Sequence, residues 1–228
     1  MWFFFDKSSI MIEYLYMKRQ VVIATSNRGK LKEYKDMLEP LSIECLSLKD
    51  IGYTSEIEEN GSSFFENSMI KAIAVKKATT LPVIADDSGL SVDALNGEPG
   101  IYSSRYAGED RCDKDNIKKL LENLHNINLN ESPAHFTCVI TYIDNERTIQ
   151  TLGRLDGKII SNERGYDGFG YDPIFEVDCG LTLAEIGEDE KNAISHRHNA
   201  LQKLIEELKW ERLFFLILMV IYLILKMP

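Results

Sequence analysis

The sequence predicts an α/β fold built on a mixed β-sheet flanked by helices, and three stretches carry that prediction. Gln20-Val21-Val22-Ile23-Ala24-Thr25 is an apolar strand that runs into the polar loop Ser26-Asn27-Arg28-Gly29-Lys30, after which Leu31, Tyr34, Met37 and Leu38 recur at helical spacing. Leu81 to Ala85 is a second buried-strand run, and it delivers Asp86, Asp87 and Ser88 to a turn at Gly89. Phe136, Cys138, Ile140 and Tyr142 alternate with Thr137, Val139, Thr141 and Ile143, and Asp144-Asn145-Glu146 then turns the chain into Arg147 to Leu155. A strand–loop–helix unit beside a long antiparallel hairpin calls for parallel and antiparallel pairing in one sheet.

The 228 residues allow one sizeable core, and no repeat divides them. A net charge of -10 excludes a broad basic face for gripping a nucleic-acid polymer, so an anionic ligand must be small and held locally. Cys45, Cys112, Cys138 and Cys179 are widely spaced without a C-x-x-C pair, which fits neither a zinc signature nor a disulfide framework. That pattern belongs to a reducing cytoplasm.

Both ends differ from the middle. Residues 1–16 form an N-terminal extension whose apolar residues are interrupted by Asp6, Lys7 and Glu13, a poor signal peptide. One domain is expected over 17–210, followed by an apolar tail, 211–228. Leu213 to Leu225 carries no charge, but as a helix it spans only about 20 Å against the roughly 30 Å of a bilayer core. Membrane association through 213–225 is therefore less favoured than a packing or oligomeric element or a non-native read-through.

In the first unit, backbone N–H groups at the helix start, the helix dipole, and the cations of Arg28 and Lys30 suit an anion. The spacing is not that of a Walker A loop, and capping by Ser26 or Asn27 beside solvated basic residues explains it equally well. Ser63 to Ala78 then reads as a helix with an apolar face of Phe64, Phe65, Met69, Ile70, Ile73 and Ala74. Glu58 and Glu59 precede it, either as favourable charges at a helix start or with one of them joining Asp87 on a metal. Magnesium needs only one or two protein carboxylates, because water and phosphate oxygens complete its shell.

Side chains alternate along a strand, so Asp86 and Asp87 face opposite ways: one is held by the scaffold and the other meets a metal or substrate. Glycine and proline then shape the loop from Asp93 to Tyr106, and Asp113 to Leu124 reads as an amphipathic helix. Ser161 to Asp172 interleaves Gly165, Gly168 and Gly170 with Tyr166, Phe169 and Tyr171, aromatics suited to stacking on a flat base or to covering a core. Leu201, Leu204, Ile205 and Leu208 mark a last amphipathic helix, entered through Ser195-His196-Arg197-His198.

Seven motifs in order, Thr25 to Lys30, Glu58 to Gly61, Phe65 to Asn67, Ala85 to Leu90, Pro99 to Ser103, Phe169 to Phe175 and Lys191 to Arg197, resemble the inosine triphosphate pyrophosphatase (HAM1-like) family. The resemblance covers about Met17 to Leu208. It implies an elongated α/β fold with helices on both sides of a long mixed sheet, two lobes, a nucleotide cleft between them, and a homodimer. It implies hydrolysis of ITP, dITP and XTP to the monophosphate and pyrophosphate, with Mg2+ as cofactor. By motif, Asp87 matches the general base and a metal ligand, and Glu59 the second ligand. Thr25, Ser26, Asn27, Arg28, Gly29 and Lys30 match the phosphate loop, and Ser88 a substrate contact. Phe169, Gly170, Tyr171, Asp172, Lys191, His196 and Arg197 match the base pocket. Lys191 or Arg197 is expected to donate to a 6-oxo group and so to reject the 6-amino group of adenine. A Maf-like or other nucleotide pyrophosphatase with a different base preference is the alternative enzyme. A nucleotide-binding or membrane-recruited protein without catalysis is the alternative from another class.

Overall fold

A computed structural model of the chain describes residues 19–208. The N-terminal extension and the apolar tail expected at 211–228 lie outside the described residues. The chain runs β1 (Arg19–Ile23), α1 (Arg28–Leu38), β2 (Ile43–Ser47), α2 (Phe64–Lys76), β3 (Val83–Val92), α3 (Asp113–Asn126), β4 (Ser132–Ile143), β5 (Thr148–Ile159), β6 (Phe175–Glu176), α4 (Glu188–Ile194) and α5 (196–208). The six strands form one sheet in the order β2-β1-β3-β4-β5-β6. β1 is parallel to both β2 and β3, and the remaining pairs are antiparallel. The predicted mixed sheet is the one observed, with the hairpin longer at its open end, out to Ser132 and Ile159, than its alternation indicates.

β1 lies between β2 and β3, so the chain leaves it toward β2 and crosses back over it to reach β3. The two connecting helices lie on opposite faces of the sheet. Tyr34 and Leu38 of α1 join Leu201 and Leu204 of α5 around Ile84 on one face, whereas Ala72 and Val75 of α2 pack on Val83 and Ala85 on the other. A reversal of strand order leaves a crevice beyond the strand ends, the usual ligand position in open α/β sheets. β1 pairs with β3 only at Val22↔Val83 and Ile23↔Ile84, so the pairing of the two strands stops at this reversal. Past Ile84, β3 is left with β4 as its one strand neighbour. A third cluster, with Leu90, Leu120, Leu124, Phe136, Ile174 and Phe175, forms the core of the other lobe under α3.

Two expectations are corrected. Asp86-Asp87-Ser88-Gly89 is not a turn at a strand end: it lies inside β3, paired with Ile140, Val139, Cys138 and Thr137 of β4. The long β4 carries the pairing through residues that favour turns in isolation, since tertiary pairing overrides a weak local preference. Gly89 has a packing role there, because a Cβ would stand 2.3 Å from the Gly100 carbonyl oxygen and 2.5 Å from Ser103 Oγ.

The second correction concerns α2. Its buried stripe is Asn67, Ser68, Lys71, Ala72 and Val75, while Phe65 and Ile73 of the apolar stripe are 43% and 42% exposed. Ser68 Oγ is 2.7 Å from Thr141 Oγ1, and Lys71 reaches acidic partners, so the polar stripe finds buried partners on the sheet. The last two helices are separate elements. Ser195 is extended (φ -63, ψ 152), and its Oγ accepts from His198 N at 3.0 Å, which caps α5. Among the described residues, no helix is long and apolar enough to cross a membrane.

Candidate active site

The alternation of β3 divides the site. Asp87 points to the α2 face, where Asn67 Nδ2 donates to Oδ2 at 3.1 Å and Lys71 Nζ stands 3.3 Å from Oδ1. Lys71 Nζ also donates to Glu59 Oε2 at 2.6 Å, so one ammonium bridges the two carboxylates. Glu58 is exposed. Asn67 is itself fixed by the Gly61 N–H, which donates to its Oδ1 at 2.9 Å. Burial raises the Asp87 pKa against the opposing Lys71 cation, making it a stronger base than a free carboxylate. Burial lowers the Lys71 pKa, but Asp87 and Glu59 outweigh it and the net shift is upward.

Asp86 points to the α1 face and is 2% exposed. Lys30 Nζ lies 3.0 Å from its Oδ2, and Arg197 reaches the same oxygen through Nε at 3.2 Å and Nη2 at 3.1 Å. Burial would raise this pKa, but Lys30 and Arg197 overrule it and hold Asp86 well below the ordinary carboxylate range. Arg197 Nη2 also donates to Ser88 Oγ at 3.1 Å, and Nη1 donates to Glu33 Oε2. Glu33 Oε1 is 3.7 Å from Lys191 Nζ, which lies 2.7 Å from Asp172 Oδ2. The chain Lys30–Asp86–Arg197–Glu33–Lys191–Asp172 alternates in sign and balances three cations with three anions, as burial requires.

The network ends at a cleft of about 280 Å³ whose lining includes Gly29, Glu33, Gly168, Phe169, Lys191 and Asn192. Lys191 Nζ lies 4.7 Å from the centre of the Phe169 ring, and that ring covers Gly29. The interleaved aromatics divide: Tyr166 projects outward, Phe169 borders the cleft, and Tyr171 is buried with its hydroxyl donating to Ser103 O at 2.9 Å. Asp172 Oδ2 also accepts from Phe169 N at 2.9 Å, and burial raises its pKa against Lys191. Gly168 has φ +85, and a Cβ there would stand 2.2 Å from Asp172 Oδ2, so this turn needs glycine. Gly170 N donates to Asp113 Oδ2 at 2.8 Å, tying the loop to α3.

In the loop before α1, Asn27 Oδ1 accepts from Gly29 N and Lys30 N at 2.8 and 3.1 Å, and Thr25 Oγ1 accepts from Asn27 N at 3.1 Å. Asn27 is the helix cap, and Ser26 and Arg28 are exposed. His196 stacks on Phe136 with centroids 4.9 Å apart at 13°; burial and then Arg197 push its pKa well below the ordinary value, so the ring is neutral. Of the two donors offered for a 6-oxo group, Lys191 lines the cleft; Arg197 is 1% exposed and engaged by Asp86, Glu33 and Ser88.

Sequence reading assigned no role to Lys71 or Glu33. Lys71 follows Asn67 at i+4, a polar stripe on an otherwise apolar helix, and Glu33 follows Lys30 at i+3 on one face of α1. Those spacings were the available signals.

An acidic centre at a strand-order reversal, joined by a charge-balanced network to a cleft bordered by an aromatic ring and a lysine, defines an α/β protein built to hold a polar, flat-ringed anion. The Ham1 family model matches residues 21–207, and the chain belongs to that family. The dITP/XTP pyrophosphatase of Bacillus licheniformis is 50% identical over 188 residues, covering 82% of this chain and 96% of that protein. The dITP/XTP pyrophosphatase of Bacillus subtilis is 50% identical over 192 residues, covering 83% and 97%. Among solved structures, the Staphylococcus aureus Ham1 protein superposes with a TM-score of 0.74 at 42% identity, covering 85% of this chain and 100% of that one. A HAM1 protein from Coxiella burnetii gives 0.76 at 42% identity, covering 84% and 98%.

Proposed function

We propose that this chain hydrolyses ITP, dITP and XTP to the monophosphate and pyrophosphate, clearing deaminated purines from the nucleotide pool. The observation that carries the reading is the presence in one chain of the Asp87–Lys71–Glu59 centre and the Lys191–Phe169 pocket, linked through the adjacent Asp86 and its buried charge network. The names of the Bacillus relatives, dITP/XTP pyrophosphatases, support it.

The residues divide the work. Asp87 takes the proton of the water that attacks the α-phosphorus as pyrophosphate leaves, and Asn67 holds its carboxylate in place. Lys30, at the start of α1, offers positive charge to the phosphates together with Thr25 to Gly29. Phe169 provides a stacking face for the purine. Lys191 donates to the 6-oxo acceptor, and an adenine 6-amino group would meet it donor to donor, leaving buried groups unpaired. Asp172 and Glu33 hold Lys191 at the cleft, Arg197 and His196 brace the pocket from behind, and Gly170 and Tyr171 anchor its loop.

Asp87 and Glu59 fit a hard divalent cation: both present carboxylate oxygens, and an ammonium already bridges them. Among the described residues, no group of three or more His, Cys, Asp or Glu side chains could hold a metal, and magnesium does not need one. When bound, Mg2+ neutralises triphosphate charge and acidifies the attacking water. A homodimer is supported by the exposed apolar residues Phe65, Ile73 and Leu152, and a cytoplasmic location by four free thiols.

The test is pyrophosphate and phosphate release from ITP, dITP, XTP, ATP and GTP with magnesium, with Asp87→Asn as control. Pyrophosphate released selectively from ITP, dITP and XTP, and lost in the variant, is the expected result. Turnover indifferent to the base or to Asp87 sinks the assignment.

A further inference from the structure

The metal-binding carboxylates assigned above already share a cation. Lys71 is 9% exposed, and its Nζ lies 2.6 Å from Glu59 Oε2 and 3.3 Å from Asp87 Oδ1. A lysine at this depth is retained only with its charge compensated, and these are its two ion-pair partners. The compensation is mutual: without the ammonium, the buried Asp87 and half-buried Glu59 carboxylates would face each other unscreened. A divalent cation on the same oxygens, at the roughly 2.0–2.1 Å of magnesium coordination, would stand within a few ångströms of Nζ. Two cations so close repel strongly in a partly desolvated site.

We infer that Lys71 is a resident counter-ion of the metal site, which holds Asp87 and Glu59 in place in the absence of metal and with which any divalent cation must compete. The inference rests on the assignment of Asp87 and Glu59 as metal ligands. It makes the affinity of this protein for free metal low by construction. The neighbouring contacts keep the exchange local. Asp87 Oδ2 is held by Asn67, and Asn67 by the Gly61 N–H, so the carboxylate keeps its orientation when Lys71 withdraws. Lys71 is the side chain free to move in this group, because four rotatable bonds carry its charge.

The experiment is titration of the chelator-stripped full chain with Mn2+ alone, following free Mn2+ by electron paramagnetic resonance, for the wild type, Lys71→Met and Lys71→Gln. The expected result is Mn2+ binding at least tenfold tighter in both variants than in the wild type, with the gain abolished when Asp87→Asn is added. In chelator, both variants should also melt below the wild type and recover on adding Mn2+. A purely structural ion pair would lower the melting temperature without tightening Mn2+ binding. Variants that bind Mn2+ no more tightly than the wild type overturn the inference, and should Lys71→Met not fold, Lys71→Gln decides alone. Failure of the ligand assignment itself has a separate signature: wild-type turnover that persists in excess chelator.

Discussion

Arg197 Nη2 lies 3.1 Å from Asp86 Oδ2, and both side chains are 1% exposed. These residues are 111 positions apart in the chain. Their contact ties the start of α5 to the centre of β3 and fixes Asp86 back to back with Asp87. The buried network around them is the frame on which the proposed chemistry hangs.

Replacing Arg197 by Ala leaves Asp86 and Glu33 as buried anions that lose their guanidinium partner. Breaking a buried pair in this way costs about 3–5 kcal/mol. Guanidinium-induced unfolding should show that loss, and a change below about 1 kcal/mol would mean that the network is not under tension from burial.

Asp86 has a folded-state pKa held below its unfolded value near 3.9, so its contribution to stability is present above that value and fades as pH falls toward the depressed one. Unfolding of wild type and Asp86→Asn at pH 7, 5 and 3 should give a gap of about 3–5 kcal/mol that is equal at pH 7 and 5 and narrower at pH 3. A gap that shrinks between pH 7 and 5 would contradict the depressed pKa.

Gly89→Ala pushes a methyl group into the Gly100 carbonyl and Ser103 Oγ, which now accepts from Leu90 N at 2.9 Å. Overpacking of this kind costs about 1–3 kcal/mol. The variant should melt lower and turn over ITP more slowly, since the displaced strand also carries Asp87 and Ser88. An unchanged melting temperature would show that the loop at 100–105 yields freely.

Lys191→Met removes the donor at the cleft. The kcat/KM for ITP should fall about 10- to 100-fold, the worth of a charge-assisted hydrogen bond, while ATP turnover stays at its low level. Parallel steady-state kinetics on ITP and ATP make the comparison. An equal loss on both nucleotides would assign Lys191 to general stability of the pocket and not to base choice.

Much of this was legible without coordinates. The period-two alternation of a strand is local, so the opposed directions of Asp86 and Asp87 followed from their adjacency alone. The mixed sheet followed from a strand–loop–helix pattern beside a hairpin, and the ordered motifs brought the family into view. Asn27 was open to reading as either a cap or a phosphate ligand, and its hydrogen bonds to Gly29 N and Lys30 N show the cap.

The sequence by itself determined the main helices, the long strands and the alternation that sets Asp86 against Asp87, because these depend on neighbours a few residues away. The tertiary structure alone decided which stripe of α2 is buried, that Asp86-Asp87-Ser88-Gly89 continues a strand, that Lys71 and Arg197 join carboxylates distant in sequence, and that Glu33 joins Arg197 and Lys191. Burial and charge pairing are settled by what packs opposite. For α2 that is a sheet presenting Thr141 and Asp87, so polar residues turn inward and Phe65 and Ile73 face out.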